Sequence, residues 1–305
     1  LDSIYVKATE TGTSKKLAIA SNAFSAVLEG QYRLSSLPNS FQYYIAGYLP
    51  NYISVPSEPM QEQDITFELK TNELDSLFAM FLPNVSGFNN TTVLGVLSTS
   101  EQQLKLNAHI DAGKISGIQI NTADITAQGN YRTLAVTADV GNISFTDTSL
   151  NGSFELNTTL GNDKLTFSLI TKSRNALGEA VIKGQAIAHG DTLDASFFPS
   201  EFYLNKKKWD ITGGNKIVFT DGYLAINNLF VKSGNQQIGI HSNNNGLQQR
   251  IGINISGLNV SEIGDLAGLS DYKIKGTING NIQVNNLFSE MYVSSEIKAL
   301  GLKFG

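Results

Sequence analysis

The residues best suited to acid–base or metal chemistry are His109, His189 and His241. None stands at metal-ligand spacing, and none has a partner carboxylate at i+4. They read as structural or surface residues. The pair Gly113-Lys114 suggests a phosphate loop, but Ile115 follows where Ser or Thr is needed and Ala108 occupies the place of the first Gly. Asp139 with Asp147, or Asp191 with Asp194, could flank a sugar as a glycosidase pair does, yet solvated carboxylates at strand ends explain them more simply. No calcium loop is present. Asn-x-Ser/Thr triplets at Asn84, Asn142, Asn151, Asn157, Asn254 and Asn259 are expected by chance in a chain this rich in Asn, Ser and Thr. The run Lys206-Lys-Lys-Trp209 combines charge with an interfacial aromatic, as a head-group contact would. It reads better as a solvated hairpin whose Trp packs on a neighbouring strand. The expectation is a protein that performs no chemistry and carries neither metal nor cofactor.

Composition narrows the alternatives. Charged residues make up 16% of the chain and the net charge of -5 forms no block, so nucleic-acid binding is not expected. The hydrophobic share of 41% is dispersed in short runs, none near the length of a membrane-spanning helix. The lack of cysteine is compatible with an oxidising compartment. The opening Leu1-Asp-Ser-Ile-Tyr-Val6 and the closing Leu302-Lys-Phe-Gly305 both read as strand interiors, so the sequence is read as a piece of something longer.

The elements that would position any site are overwhelmingly strands. Period-two alternation recurs from end to end: Ile65, Phe67, Leu69; Leu104, Leu106, Ala108, Ile110; Leu134, Val136, Ala138, Val140; Leu165, Phe167, Leu169; and Ile251, Ile253, Ile255. The intervening positions are mostly Asn, Thr, Lys, Gln, Ser or Glu, which gives sheets with one wet and one apolar face. Turn residues such as Asn151-Gly152, Asp221-Gly222 and Gly213-Gly-Asn215 separate the runs. Helical spacing is confined to about 72–82, with Asn72 as a cap, and about 260–269, with Asn259 or Ser261 as a cap. The fold class expected is mainly β: an elongated, curved, antiparallel-rich sheet forming an open groove with an apolar interior, plus two short helices.

The chain also repeats its plan. Residues 259–305 run as an amphipathic segment, an alternating strand (273–284), a polar loop and a second strand (291–299). Residues 73–117 run in the same order. Segment 1–70 therefore reads as β structure continuing from a missing N-terminal part, 71–257 as a central module, and 258–305 as the start of a repeated one. Small residues interrupt strands where a bending sheet needs slack, for example Gly276, Gly280, Ala108 and Ala138.

Two stretches resemble a known family. Phe198-Pro-Ser-Glu-Phe-Tyr-Leu-Asn-Lys-Lys-Lys-Trp-Asp-Ile211, continuing through Ile217-Val-Phe219, Tyr223-Leu-Ala-Ile226 and Gln237-Ile-Gly-Ile240, is similar to a segment of TamB proteins of the AsmA-like group. The run Ile274-Lys-Gly-Thr-Ile-Asn-Gly-Asn-Ile-Gln-Val284 resembles the Gly-punctuated strands of that family. The resemblance implies a periplasmic protein held by an inner-membrane anchor outside this chain. It also implies an outer-membrane Omp85-type barrel as partner, through regions absent here. It further implies a β-taco whose apolar groove conducts phospholipid between membranes, or else an assembly factor for outer-membrane β-barrels. A β-sandwich surface adhesin is the remaining alternative.

A groove that moves acyl chains needs no singular residue, only a continuous apolar wall. The residues expected to line it are Leu104, Leu106, Ile110, Leu134, Val136, Leu165, Phe167, Leu169, Ile251, Ile253, Ile255, Ile274, Ile278, Ile282, Val284, Val293 and Ile297.

Overall fold

The alternating pattern becomes an antiparallel sheet that is not closed, seen in a computed structural model that describes residues 3–145, 148–173, 177–243, 249–263 and 274–303. The chain divides into two compact units, Leu1–Leu165 and Thr166–Gly305. The division falls inside the segment 71–257 that the sequence reads as one module. Among the described residues, no helix is long and apolar enough to cross a membrane.

The first unit contains β1 (Ile4–Thr11), β2 (Ser14–Ser21), β3 (Phe24–Gln31), β4 (Asp64–Thr71), β5 (Val85–Gly87), β6 (Thr92–Ser98), β7 (Gln103–Ile115), β8 (Ile118–Gly129), β9 (Leu134–Phe145) and β10 (Thr148–Gly161). They pair as a meander, β1 to β4, then β6 to β10 in order. Short β5 takes over from β6 along the far end of β7, setting Gly87 opposite Gly113. Gly113-Lys114 therefore lies within a strand, and the Phe88 ring covers Gly113.

Helix α1 (Leu37–Tyr48) was not expected within 1–70. Its apolar residues Leu37, Phe41, Tyr44 and Tyr48 follow helical spacing and Pro38 sits in its first turn, but Tyr, Ile and Gly make it a weak helix former. Tertiary contact supplies what propensity does not. Tyr44 and Tyr48 are buried with Tyr32, Ile65 and Leu97, and Leu104, Leu134 and Leu160 pack against that cluster. The Tyr44 Oη donates to the Ser98 carbonyl at 2.7 Å and the Tyr131 Oη to the Thr99 carbonyl at 3.0 Å. Gly47 lies so close to the Tyr131 carbonyl that an added Cβ would come within 1.7 Å of the oxygen.

The expected helix near 72–82 is α2 (Asp75–Phe81). Asn72 does not cap it: Leu74 holds that position without a side-chain cap bond, and the Asn72 N–H donates instead to the Ala23 carbonyl.

The second unit is built differently. Long strands β12 (Leu177–His189) and β20 (Arg250–Asn259) are separated by short ones: β13 (Thr192–Phe197), β14 (Ser200–Leu204), β15 (Lys207–Ile211), β16 (Lys216–Thr220), β17 (Tyr223–Asn227), β18 (Leu229–Ser233) and β19 (Gln236–Ser242). These form two rows side by side. One end of β12 pairs with β14, which leads through β15 and β18 to β19 and β20. The other end pairs with β13, followed by β16 and β17. Beyond β20 come β21 (Lys275–Asn285) and β22 (Tyr292–Lys303) as an antiparallel hairpin. Strand β11 (Lys164–Ser173) precedes β12.

The expected helix at 260–269 is seen as α3 (Val260–Ile263), and 264–273 lie outside the described residues. Asn259 does cap it, its Oδ1 accepting the Ser261 N–H at 3.1 Å. Glu262 ties α3 down through Lys207 Nζ at 2.9 Å and Gln236 Nε2 at 2.8 Å.

Candidate functional site

Directly paired residues of antiparallel strands point to the same face, so the register shows which side chains form a continuous surface. In the first unit the row Val6, Ile19, Ala26, Leu69, Val93, Ala108, Ile125, Ala138, Leu156 crosses β1 to β4 and β6 to β10, and every member is apolar. The neighbouring row on that face runs Ala8, Leu17, Leu28, Phe67, Gly95, Leu106, Ala127, Val136, Thr158. Ile110 belongs to a third, with Ala123, Val140 and Phe154. Leu106, Ile110 and Val136 are half-buried along this face. Leu104 and Leu134 share it too, but at the end where α1 packs over them. That end belongs to the tyrosine cluster. The open part of the face begins one row further along, at Leu106 and Val136.

The second unit repeats the arrangement with other residues. Ile211, Val231, Ile238, Ile255, Gly280 and Ile297 form one row, and Leu229, Ile240, Ile253, Ile282 and Ser295 the next. Ile251, Val284 and Val293 form a third. The predicted residues of β20 and β21 thus meet on one face, while Val293 and Ile297, on β22, are 58% and 50% exposed. One end of this face is also filled: Leu204, Trp209 and Leu258 are buried there, with Phe202, Val231, Ile238, Ile255 and Ile278 packed against them. Ile278 therefore serves the cluster as well as the face. Ile274 is half-buried just ahead of β21, and Leu165 and Leu169 are half-buried on β11. Phe167 lies over Gly184, where a Cβ would come within 2.7 Å of its ring, and meets Phe197 edge-on at 6.4 Å.

Leu17, Ile19 and Leu28 were missed by the sequence reading because Leu17-Ala-Ile-Ala20 and Ala26-Val-Leu28 are short continuous apolar runs. Small side chains on both faces hide their period; Leu17 and Ile19 stand two apart, and that was the available signal.

The opposite face of the first unit is mostly polar, though it includes Val27 and Leu94, and carries the row Lys70, Thr92, His109, Asp124, Asp139, Glu155 across β4 and β6 to β10. His109 is not isolated after all. Its Nδ1 lies 2.7 Å from an Asp124 oxygen and its Nε2 3.1 Å from Asp111. In a strand the same-face neighbours are at i+2 and on the adjacent strand, which a search for i+4 partners passes over. The hydrogen bond and charge of Asp124, with a smaller contribution from Asp111, hold the imidazole above its usual pKa. The imidazole is exposed, and among the described residues no acidic and histidine side chains are grouped to hold a metal.

The lysine run is likewise paired. Lys208 reaches Glu201 at 2.7 Å and Asp210 at 3.2 Å, and Trp209 is buried, stacked on Phe202. Asp194 pairs with Lys216 at 2.9 Å; Asp147 lies outside the described residues.

In the first unit the arrangement sets a continuous row of apolar side chains on one side of the sheet and the His109 row on the other. Comparison of the chain with protein-family models, curated proteins and solved structures gives no match.

Proposed function

We propose that the apolar face of each unit holds acyl chains, and that the protein belongs to a non-enzymatic path for phospholipid between membranes of a cell envelope, as the likeness to TamB proteins implies. The observation that supports it is the unbroken cross-strand row Val6 to Leu156, apolar at every strand it crosses. Exposing a methylene to water costs about 0.8 kcal/mol, so a sixteen-carbon tail left in water costs on the order of 10 kcal/mol. A wall of half-buried aliphatic residues removes much of that cost without a reaction, leaving the polar head in water. In this reading the protein works in the periplasm, and its inner-membrane anchor and its contact with an Omp85-type barrel lie outside this chain. Solvent extraction and mass analysis of the purified protein should yield phospholipid near stoichiometric amounts. Purified protein free of lipid, and unable to take up a fluorescent phospholipid, would exclude this function.

A further inference from the structure

Helix α2 ends in three consecutive large apolar side chains that stand exposed among the described residues: Met80 is 74% exposed, Phe81 71% and Leu82 52%. They stand on a base tied down by ring contacts and hydrogen bonds. Phe78, one turn back, meets Phe88 edge-on at 6.1 Å, and Phe88 in turn lies on Gly113 of β7. The Asp75 carboxylate accepts the Gly87 N–H at 2.6 Å and Asn89 Oδ1 accepts the Leu74 N–H at 3.0 Å. The Leu82 and Val85 N–H groups bond to the Phe78 and Leu82 carbonyls, and the Ser116 N–H to the Asn84 carbonyl. The helix thus uses its inner side for anchoring while its tip is presented to the surroundings.

Size and charge decide what the tip fits. Three such side chains expose on the order of 300–400 Å². A stable protein partner needs about 800 Å² from each side, so the tip falls short of a protein interface by about half. A bilayer sets no such minimum, because each apolar side chain that enters the acyl boundary contributes independently. The chain from Ser76 to Ser100 contains no Asp, Glu, Lys or Arg, so no charged side chain of this segment has to be drawn toward the hydrocarbon with the tip. We infer that Met80, Phe81 and Leu82 form a wedge that inserts into the head-group and acyl boundary of a lipid surface. The inference does not depend on the apolar face carrying lipid; it concerns a different part of the molecule.

The lack of cysteine makes the test direct. A Phe81→Cys variant of the full chain, labelled with an environment-sensitive fluorophore, should brighten and shift to the blue on adding phosphatidylcholine vesicles. The same label at Gln128→Cys, exposed on the polar face of β8, should not. The unlabelled M80D/F81D variant should keep its circular dichroism and melting temperature, since both side chains are exposed. Its vesicle partition coefficient should fall by on the order of tenfold for each side chain changed. An unchanged label at position 81, or full vesicle binding by M80D/F81D, overturns the inference. So does self-association of the wild-type chain in the absence of lipid that M80D/F81D abolishes, because the wedge would then be a protein contact. A chain that yields no extracted lipid and takes up no fluorescent phospholipid, but still inserts its tip, would sink the proposed function and leave this inference standing.

Discussion

Trp209 lies parallel to Phe202, its directly paired neighbour across β14 and β15, with ring centroids 6.4 Å apart and planes 12° apart. This pair anchors the filled end of the second unit's apolar face, where Leu204 and Leu258 are also buried. Trp209→Ala should cost about 3–5 kcal/mol of stability, the usual penalty for emptying a large aromatic site. The indole N–H has no hydrogen-bond partner among the described residues, so Trp209→Phe loses only packing and should cost less than half as much. Urea unfolding followed by circular dichroism measures both. Equal losses would show that the site depends on more than ring volume.

Helix α1 is held by close approach. Gly47→Ala must move the helix off the Tyr131 carbonyl and should cost at least about 2 kcal/mol. Tyr44→Phe removes one buried hydrogen bond and should cost about 1–1.5 kcal/mol. Burial also raises the Tyr48 hydroxyl to about 12 from its ordinary value of 10.0, and raises Tyr44 further. The folded state favours the neutral phenols, so their contribution is full below pH 10 and is lost as pH rises through the folded values. Alkaline unfolding, seen together with phenolate absorbance, should therefore begin above pH 10. Free titration of all tyrosines near pH 10 in a folded chain would contradict the placement of α1.

On the polar face, His109 should titrate above its ordinary value, with Asp124→Asn lowering the midpoint more than Asp111→Asn does. Because the folded pKa is the higher one, the stabilisation is full below the unfolded value of about 6.5 and disappears as pH rises through the folded value. Imidazole proton shifts in the wild type and the two variants read this directly. No change in midpoint with Asp124→Asn would mean that the pair is not formed in solution.

Ile282 is the cleaner position for testing lipid passage. It lies in the row with Ile253 and Ile240, away from the Trp209 cluster, whereas Ile278 packs against that cluster. Ile282→Asp should abolish uptake of fluorescent phospholipid while lowering the melting temperature only slightly. Ile278→Asp should lower both. Undiminished uptake by a folded Ile282→Asp chain would show that this face carries no lipid.

Much of this architecture was legible in the residues, because a strand declares its faces locally. Leu106 and Ile110, or Ile251, Ile253 and Ile255, alternate with polar neighbours, and alternation alone places them on one side of a sheet. The hairpin at Asp221-Gly222 followed from its turn residues and α2 from its spacing, whereas Asn151-Gly152, expected to be a turn, lies within β10 and pairs along β9. By itself, the sequence determined a mainly β chain whose strands carry an apolar and a wet face. Tertiary structure decided which alternating runs line up with which, since register depends on pairing between distant strands. It also decided that Leu104 and Leu134 lie beneath α1, a helix whose own propensity is too weak to announce it and which exists by virtue of what it covers. The packing of Trp209 on a neighbouring strand was legible in its hairpin. The Asp124 carboxylate beside His109 was not: it is brought in by the adjacent strand, and the spacing along the chain carries no record of it.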